Sequence, residues 1–143
     1  MSEKENIGVV RRYFDEVWNS GNLDAADDLV APNFSVEGCG GAISGLEAVK
    51  LYVSSYRTLY PTVRFTMLSL IAQGDLVAAC WVCRGLQSAY CSEEAPARAK
   101  CAPTTGLSVY RIADGKIAEA WAGSERGDSD SAQHLGIHRE RAN

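Results

Sequence analysis

Two stretches of this chain place ionisable or amide side chains at strand spacing from tryptophan. In Leu76–Tyr90, period-two alternation puts Trp81, Cys83, Gly85 and Gln87 on one face, with Cys80, Val82 and Arg84 on the other. Further on, the same alternation joins Glu119, Trp121, Gly123 and Glu125. If both tryptophans line one hollow, a carboxylate enters it with them. Pressed against indole rings it loses hydration, its pKa rises, and it becomes a general acid or base near neutral pH. Glu125 is therefore expected to move a proton next to a substrate carbonyl. Gln87 would donate its amide N–H to the developing enolate oxygen. Glu119 would line the same site, and Trp81, Trp121, Tyr56 and Cys83 are the expected substrate-binding walls. The ordinary alternative for a glutamate is a solvated loop. Asp128 takes over as the acid if the final segment is shifted by one residue.

Other chemistry finds little support. The five cysteines, Cys39, Cys80, Cys83, Cys91 and Cys101, are odd in number and follow no secretory leader, which argues against a disulfide framework. Cys80 and Cys83 have C-x-x-C spacing, but an offset of three on a strand sends them to opposite faces. They are expected to be small buried hydrophobes rather than a zinc or redox pair. His134 and His138 flank Gly136 without an obvious third ligand, so no metal site is expected. There is no phosphate loop, dinucleotide fingerprint or nucleophile elbow, and no cofactor is implied by the residues.

The elements that must hold these groups follow from periodicity. Ile7, Val10, Phe14, Val17 and Trp18 recur at helical spacing until Asn19-Ser-Gly-Asn breaks the pattern. Asn22 is placed to cap a second helix over Leu23–Val30, which Pro32 would stop. A short strand over Phe34–Val36 runs into Gly38-Cys-Gly-Gly. Ser44 and Glu47 then have capping-box spacing for a third helix, which carries Leu46, Val49, Val53, Tyr56 and Tyr60 on one stripe and ends at Pro61.

After Pro61 the period falls to two. Val63, Phe65, Met67, Ser69 and Ile71 share one side of a strand, Gln73-Gly-Asp75 is turn chemistry, and Leu76–Tyr90 is a long strand. Ser92–Lys100 reads as a loop. Thr104–Ile112 and Ile117–Gly123 form a hairpin through Ala113-Asp-Gly-Lys116. Ser124–Gln133 holds at most a turn of helix, and residues 136–143 are a loose tail.

Helices first and hairpin-linked strands after favour an α+β fold, with helices packed on a curved, mostly antiparallel sheet. Closing helices over the concave side would leave a cone-shaped cavity. The 143 residues suit one domain. A hydrophobic fraction of 46% with 22% charged residues excludes wholesale disorder. Its net charge of −4, without a basic run, disfavours nucleic acid. The longest apolar run, Leu76–Cys83, is too short to span a membrane. A soluble, cytoplasmic protein is expected.

The motifs in order resemble the SnoaL-like polyketide cyclase family, within the nuclear transport factor 2-like superfamily of cone-shaped α+β folds. They are Val10-Arg-Arg-Tyr-Phe-Asp-Glu-Val-Trp-Asn-Ser-Gly-Asn-Leu-Asp-Ala, Leu29-Val-Ala-Pro-Asn-Phe, Gly45-Leu-Glu-Ala-Val-Lys, Gly74-Asp-Leu-Val-Ala-Ala, Arg84-Gly, Pro103-Thr-Thr-Gly, Val109-Tyr-Arg-Ile-Ala-Asp-Gly-Lys-Ile-Ala-Glu-Ala-Trp and Gln133-His-Leu-Gly136.

The resemblance implies a single cofactor-free domain over residues 1–143, homodimeric, whose pocket binds a hydrophobic polyketide or terpenoid-like metabolite and closes or isomerises it by acid/base chemistry. In such cyclases a carboxylate four residues after the last-strand tryptophan is the acid/base, which here is Glu125 after Trp121. Histidines common in the family are replaced by Gln87 and, near the first strand, by Glu37. Glu37 is a candidate to pair with Glu125 so that one of them keeps its proton. The departures keep open a non-catalytic binding or assembly module on the same fold, and an epoxide hydrolase or hydroxylase relative. Dimerisation is expected through the outer sheet face, which Cys80 and Val82 leave partly apolar.

Overall fold

A computed structural model describes residues 2–37, 43–85 and 104–125. The first helix starts where Ser2 and Glu5 form a reciprocal capping box: the Glu5 N–H donates to Ser2 Oγ (3.0 Å) and the Ser2 N–H to Glu5 Oε1 (2.8 Å). It runs as α1 over Glu3–Arg12 and continues as a π-helical segment, Tyr13–Asn19. That wider winding ends at Gly21, whose φ of +70° suits glycine and lets the Asn22 N–H reach the Glu16 carbonyl at 2.9 Å.

The second helix is shorter than its apolar pattern suggests. A 3-10 turn, Leu23–Ala25, leads into α2, Ala26–Leu29, and the Asn22 side chain makes no capping bond. Val30 already belongs to β1, Val30–Glu37, so Pro32 lies inside a strand rather than stopping a helix. The sheet tolerates it because the pairing of β1 is irregular between Val30 and Ser35, where no ladder donor is required of it. A two-residue strand, β2 (Ile43–Ser44), pairs with β1. Ser44 is thereby committed to the sheet and does not cap α3, Leu46–Leu59, whose N-cap is Gly45 at φ +92°.

Four long strands follow: β3, Arg64–Gln73; β4, Leu76–Arg84; β5, Thr104–Ala113; and β6, Lys116–Glu125. The hairpin joining β5 to β6 has positive φ at both Asp114 and Gly115, as a two-residue turn of matching twist requires. The sheet order is β2-β1-β6-β5-β4-β3, antiparallel throughout except for β1 beside β6. This is the expected α+β arrangement. The helices cover one face, and Val10, Val17, Val53, Val77 and Ala79 between helices and sheet have no exposed surface. Each fully buried valine of this kind contributes about 1.5–3 kcal/mol.

Two bulges decide which side chains look inward. On β3, Met67 pairs with Trp81 and Ser69 with Cys80, so Leu68 is an extra residue. Beyond it the facing reverses: Leu70 and Ala72 pack on the core, while Ile71, expected on the Phe65 face, is 64% exposed. On β6, Arg111 pairs with Glu119 but Ile112 with Ile117, which makes Ala118 the extra residue. Ile117 and Ala120 are the buried positions, three apart, and alternation restarts from there.

Candidate functional site

The inner face is walled by aromatic rings drawn from four elements. Trp18, the penultimate residue of the π-helical segment, lies edge-on to Tyr52 (5.8 Å between centroids) and Tyr56 (5.4 Å) of α3, and 5.0 Å from Phe65 of β3. Phe65 in turn meets Trp81 of β4 at 5.1 Å. Tyr60 extends the row, 4.9 Å from Tyr56. The i, i+4 spacing of Tyr52, Tyr56 and Tyr60 places them one above another on the helix. Trp18 holds its place through its neighbours. Arg57 donates to the carbonyls of Trp18 and Asn19, and the Asn19 amide pairs with the backbone of Phe65.

Polar groups within this wall are few. Trp81 is 8% exposed and its Nε1–H donates to Ser108 Oγ at 2.9 Å, where Ser108 is 2% exposed. Ser108 was not singled out from the sequence. Two-residue spacing back from Tyr110 would have placed it inward. Tyr56 of α3 and Cys83 of β4 lie close enough to shift each other's proton affinity. Burial pushes the Cys83 thiol up to about 11, and burial together with Cys83 raises the Tyr56 phenol above its usual range. Both therefore keep their protons at neutral pH.

Of the expected site residues, Trp81, Cys83 and Tyr56 come together. The two indoles, however, do not share a hollow. Trp121 is 39% exposed on the opposite face of the sheet, with the Arg111 guanidinium 5.8 Å from its ring centroid. Glu119 is on that outer face too, accepting from Arg111 Nε at 2.8 Å, while Arg111 also reaches Asp75 at 3.0 Å. The cause is the Ala118 bulge, which reverses the alternation that a straight strand would carry.

Alternation therefore no longer joins Glu125 to Trp81. In register Glu125 pairs with Thr105, in the row of Leu107, Val109 and Trp121. The backbone of Glu37 pairs with that of Trp121. The side chains of Glu37 and Glu125, and the whole of Gln87, Asp128, His134 and His138, lie outside the described residues.

Cys80 and Cys83 do occupy opposite faces, although Cys80 is exposed rather than buried. Among the described residues no cluster of His, Cys, Asp and Glu could hold a metal ion, and no helix is long and apolar enough to cross a membrane. Away from the inner face, an open notch of about 210 Å3 is lined by Gly21, Leu23, Ser54, Arg57 and Thr58.

The sequence profile of the SnoaL-like domain matches residues 10–120, and the chain belongs to that family. Solved structures agree on the fold. A candidate SnoaL-like polyketide cyclase from Jannaschia sp. CCS1 is 21% identical, over 85% of this chain and 86% of its own, with a TM-score of 0.73. IdmH from Streptomyces antibioticus, described as a candidate polyketide cyclase, is 23% identical over 92% and 99% of the two chains (TM-score 0.72). AclR from Streptomyces galilaeus, described as a candidate hydroxylase, is 18% identical over 96% and 88% (TM-score 0.71). No curated protein matches the sequence.

Proposed function

We propose that this SnoaL-like chain binds a planar, hydrophobic, oxygenated secondary metabolite of polyketide or terpenoid type against its aromatic inner face, and catalyses its cyclisation or isomerisation by acid/base chemistry without a cofactor. The observation that carries the reading is the continuous wall of Tyr56, Trp18, Phe65 and Trp81, which offers offset and edge-on ring contacts with few polar groups. The names of the cyclases and the hydroxylase that share the fold support it. Glu125 is the proposed proton-transfer group, reaching the ligand from the end of β6 rather than from the Trp81 row, because its register follows Trp121. Gln87 is the proposed hydrogen-bond donor to the developing oxyanion. The expected pairing of Glu37 with Glu125 is not retained, since Glu37 pairs in register with Trp121, four residues earlier on β6. Trp121 and Glu119, on the outer face, belong to the proposed homodimer contact rather than to the substrate.

One observation favours a second reading, a non-catalytic binding module. Among the described residues the buried polar side chains are those of Asn6 and Ser108, and no carboxylate is buried. The two readings separate in one experiment. The full chain is titrated with planar polycyclic ketones and incubated with poly-β-ketone thioesters, binding being followed by tryptophan fluorescence and products by mass spectrometry. Turnover that falls at least about 100-fold in Glu125→Gln, with binding retained, is the result expected of the catalyst. Unchanged turnover removes Glu125 from the mechanism, and tight binding by the wild type with no product selects the module.

A further inference from the structure

The notch lined by Gly21, Leu23, Ser54, Arg57 and Thr58 lies between α3 and the turn that follows the π-helical segment. Arg57 is the charged residue of its lining. The guanidinium is half-buried, and among the described residues no carboxylate lies within ion-pair distance of it. Its Nη1 donates to the carbonyls of Trp18 and Asn19, which anchors the group at the end of the π-helical segment. That bonding accounts for one nitrogen of three. Nε and Nη2 have no acceptor among the described residues, and together they form the edge of a guanidinium that matches two oxygens of a carboxylate or a phosphate.

The surroundings keep that edge clear and fixed. A Cβ at Gly21 would come 2.8 Å from Nε and 3.2 Å from Nη2, so the pinned guanidinium would have to shift for any larger residue there. Ser54, Arg57 and Thr58 share one face of α3 through their i, i+3 and i+4 spacing. The Thr58 hydroxyl is committed, donating to the Ser54 carbonyl at 2.9 Å, whereas Leu23 gives the notch an apolar side. With about 210 Å3 of open space, the notch accommodates a small organic anion as well as a bare ion. Because Nη1 already holds the side chain, little rotamer entropy is left to lose when an anion docks on the other edge.

We propose that the Arg57 notch binds a small oxyanion, a carboxylate or phosphate group whose two oxygens accept from Nε–H and Nη2–H. The site lies apart from the aromatic wall and does not depend on the chemistry proposed there.

The test is heteronuclear NMR of the isotope-labelled full chain, read at the Arg57 Nε–H and Gly21 N–H signals, with ionic strength held constant. The Nε–H signal is identified by its loss in Arg57→Lys. Inorganic phosphate and butyrate are each expected to shift both signals saturably, with a midpoint below about 10 mM, while butyramide, the uncharged counterpart of butyrate, shifts neither. Ser54→Asp places a carboxylate one turn before Arg57, where it occupies the guanidinium edge without disturbing the bonds of Nη1. In that variant the affinity for both anions is expected to fall at least about tenfold, with far-UV circular dichroism unchanged. The proposal is overturned if neither anion gives a saturable shift in the wild type, if Ser54→Asp binds them as the wild type does, or if butyramide binds as well as butyrate. Tighter binding of butyrate than of phosphate assigns the ligand to the carboxylates and the reverse order to the phosphate esters, and either order supports the oxyanion site.

Discussion

Asn19 and Phe65 are joined as if they belonged to neighbouring strands: Asn19 Nδ2 donates to the Phe65 carbonyl at 2.9 Å, and the Phe65 N–H donates to Asn19 Oδ1 at 2.7 Å. One side chain thus completes the backbone of β3 near its start and ties the end of the π-helical segment to the sheet. Removing it leaves a part-buried amide and carbonyl without partners. Asn19→Ala is expected to lower stability by about 2 kcal/mol, read as a lower urea midpoint at unchanged m-value. Asn19→Asp keeps the acceptor and loses the donor, and should fall between the two. A midpoint for Asn19→Ala within error of wild type would show that the clamp contributes nothing net.

Ser108 makes a comparable demand. In Ser108→Ala the Trp81 Nε1–H stays buried without its acceptor, at a cost of about 1–3 kcal/mol. The near-UV circular dichroism of the indole should change, because the bond that fixes its ring has gone. A Ser108→Ala chain with wild-type stability and an unaltered tryptophan signal would contradict this account.

The thiols should differ in reactivity and in their effect on stability. Cys80 is exposed on the outer face and Cys83 buried on the inner one, so iodoacetamide at pH 8 is expected to label Cys80 before Cys83, as read by peptide mass mapping. Cys83, held at about 11 against an ordinary 9.0, binds its proton more tightly in the folded chain than in the unfolded one. Its contribution is therefore fully present below about pH 9 and is lost as the pH rises toward 11. That part of the alkaline loss is on the order of 2 kcal/mol and should be missing from Cys83→Ala when urea midpoints are compared between pH 8 and 11. Equal slopes in the two chains would refute it.

The outer sheet face carries Leu107 (54% exposed), Ile71, Trp121 and Cys80, with the Asp75–Arg111–Glu119 ion pairs at its edge. An apolar surface of this kind is a liability unless covered. In the proposed homodimer Leu107→Glu should give a monomer by sedimentation velocity, with unchanged far-UV circular dichroism. A wild-type chain that is monomeric at high concentration would remove the contact.

The hairpin at Asp114-Gly115 and the buried stripe of Val49 and Val53 on α3 are legible from the chain alone, because turn geometry and helical period depend on residues only a few positions apart. The start of α1 was equally local, in Ser2 and Glu5, whereas the same spacing at Ser44 and Glu47 is overridden when Ser44 pairs with Ser35 of β1. Local preference yields there to a tertiary hydrogen bond.

Which residues meet is a different matter. Sequence alternation correctly puts Trp81 and Cys83 on one face and Cys80 on the other, since β4 is paired without interruption to β5. It misplaces Ile71 and Trp121 because Leu68 and Ala118 are each one residue too many for the strand beside them. A single inserted residue reverses every later side chain, and whether a strand absorbs one is settled by its partner. The sequence alone therefore determined the helical stripes of α1 and α3, the hairpins and the family, while only the tertiary structure decided that Trp18 meets Tyr56 and Phe65 and that Trp121 looks outward.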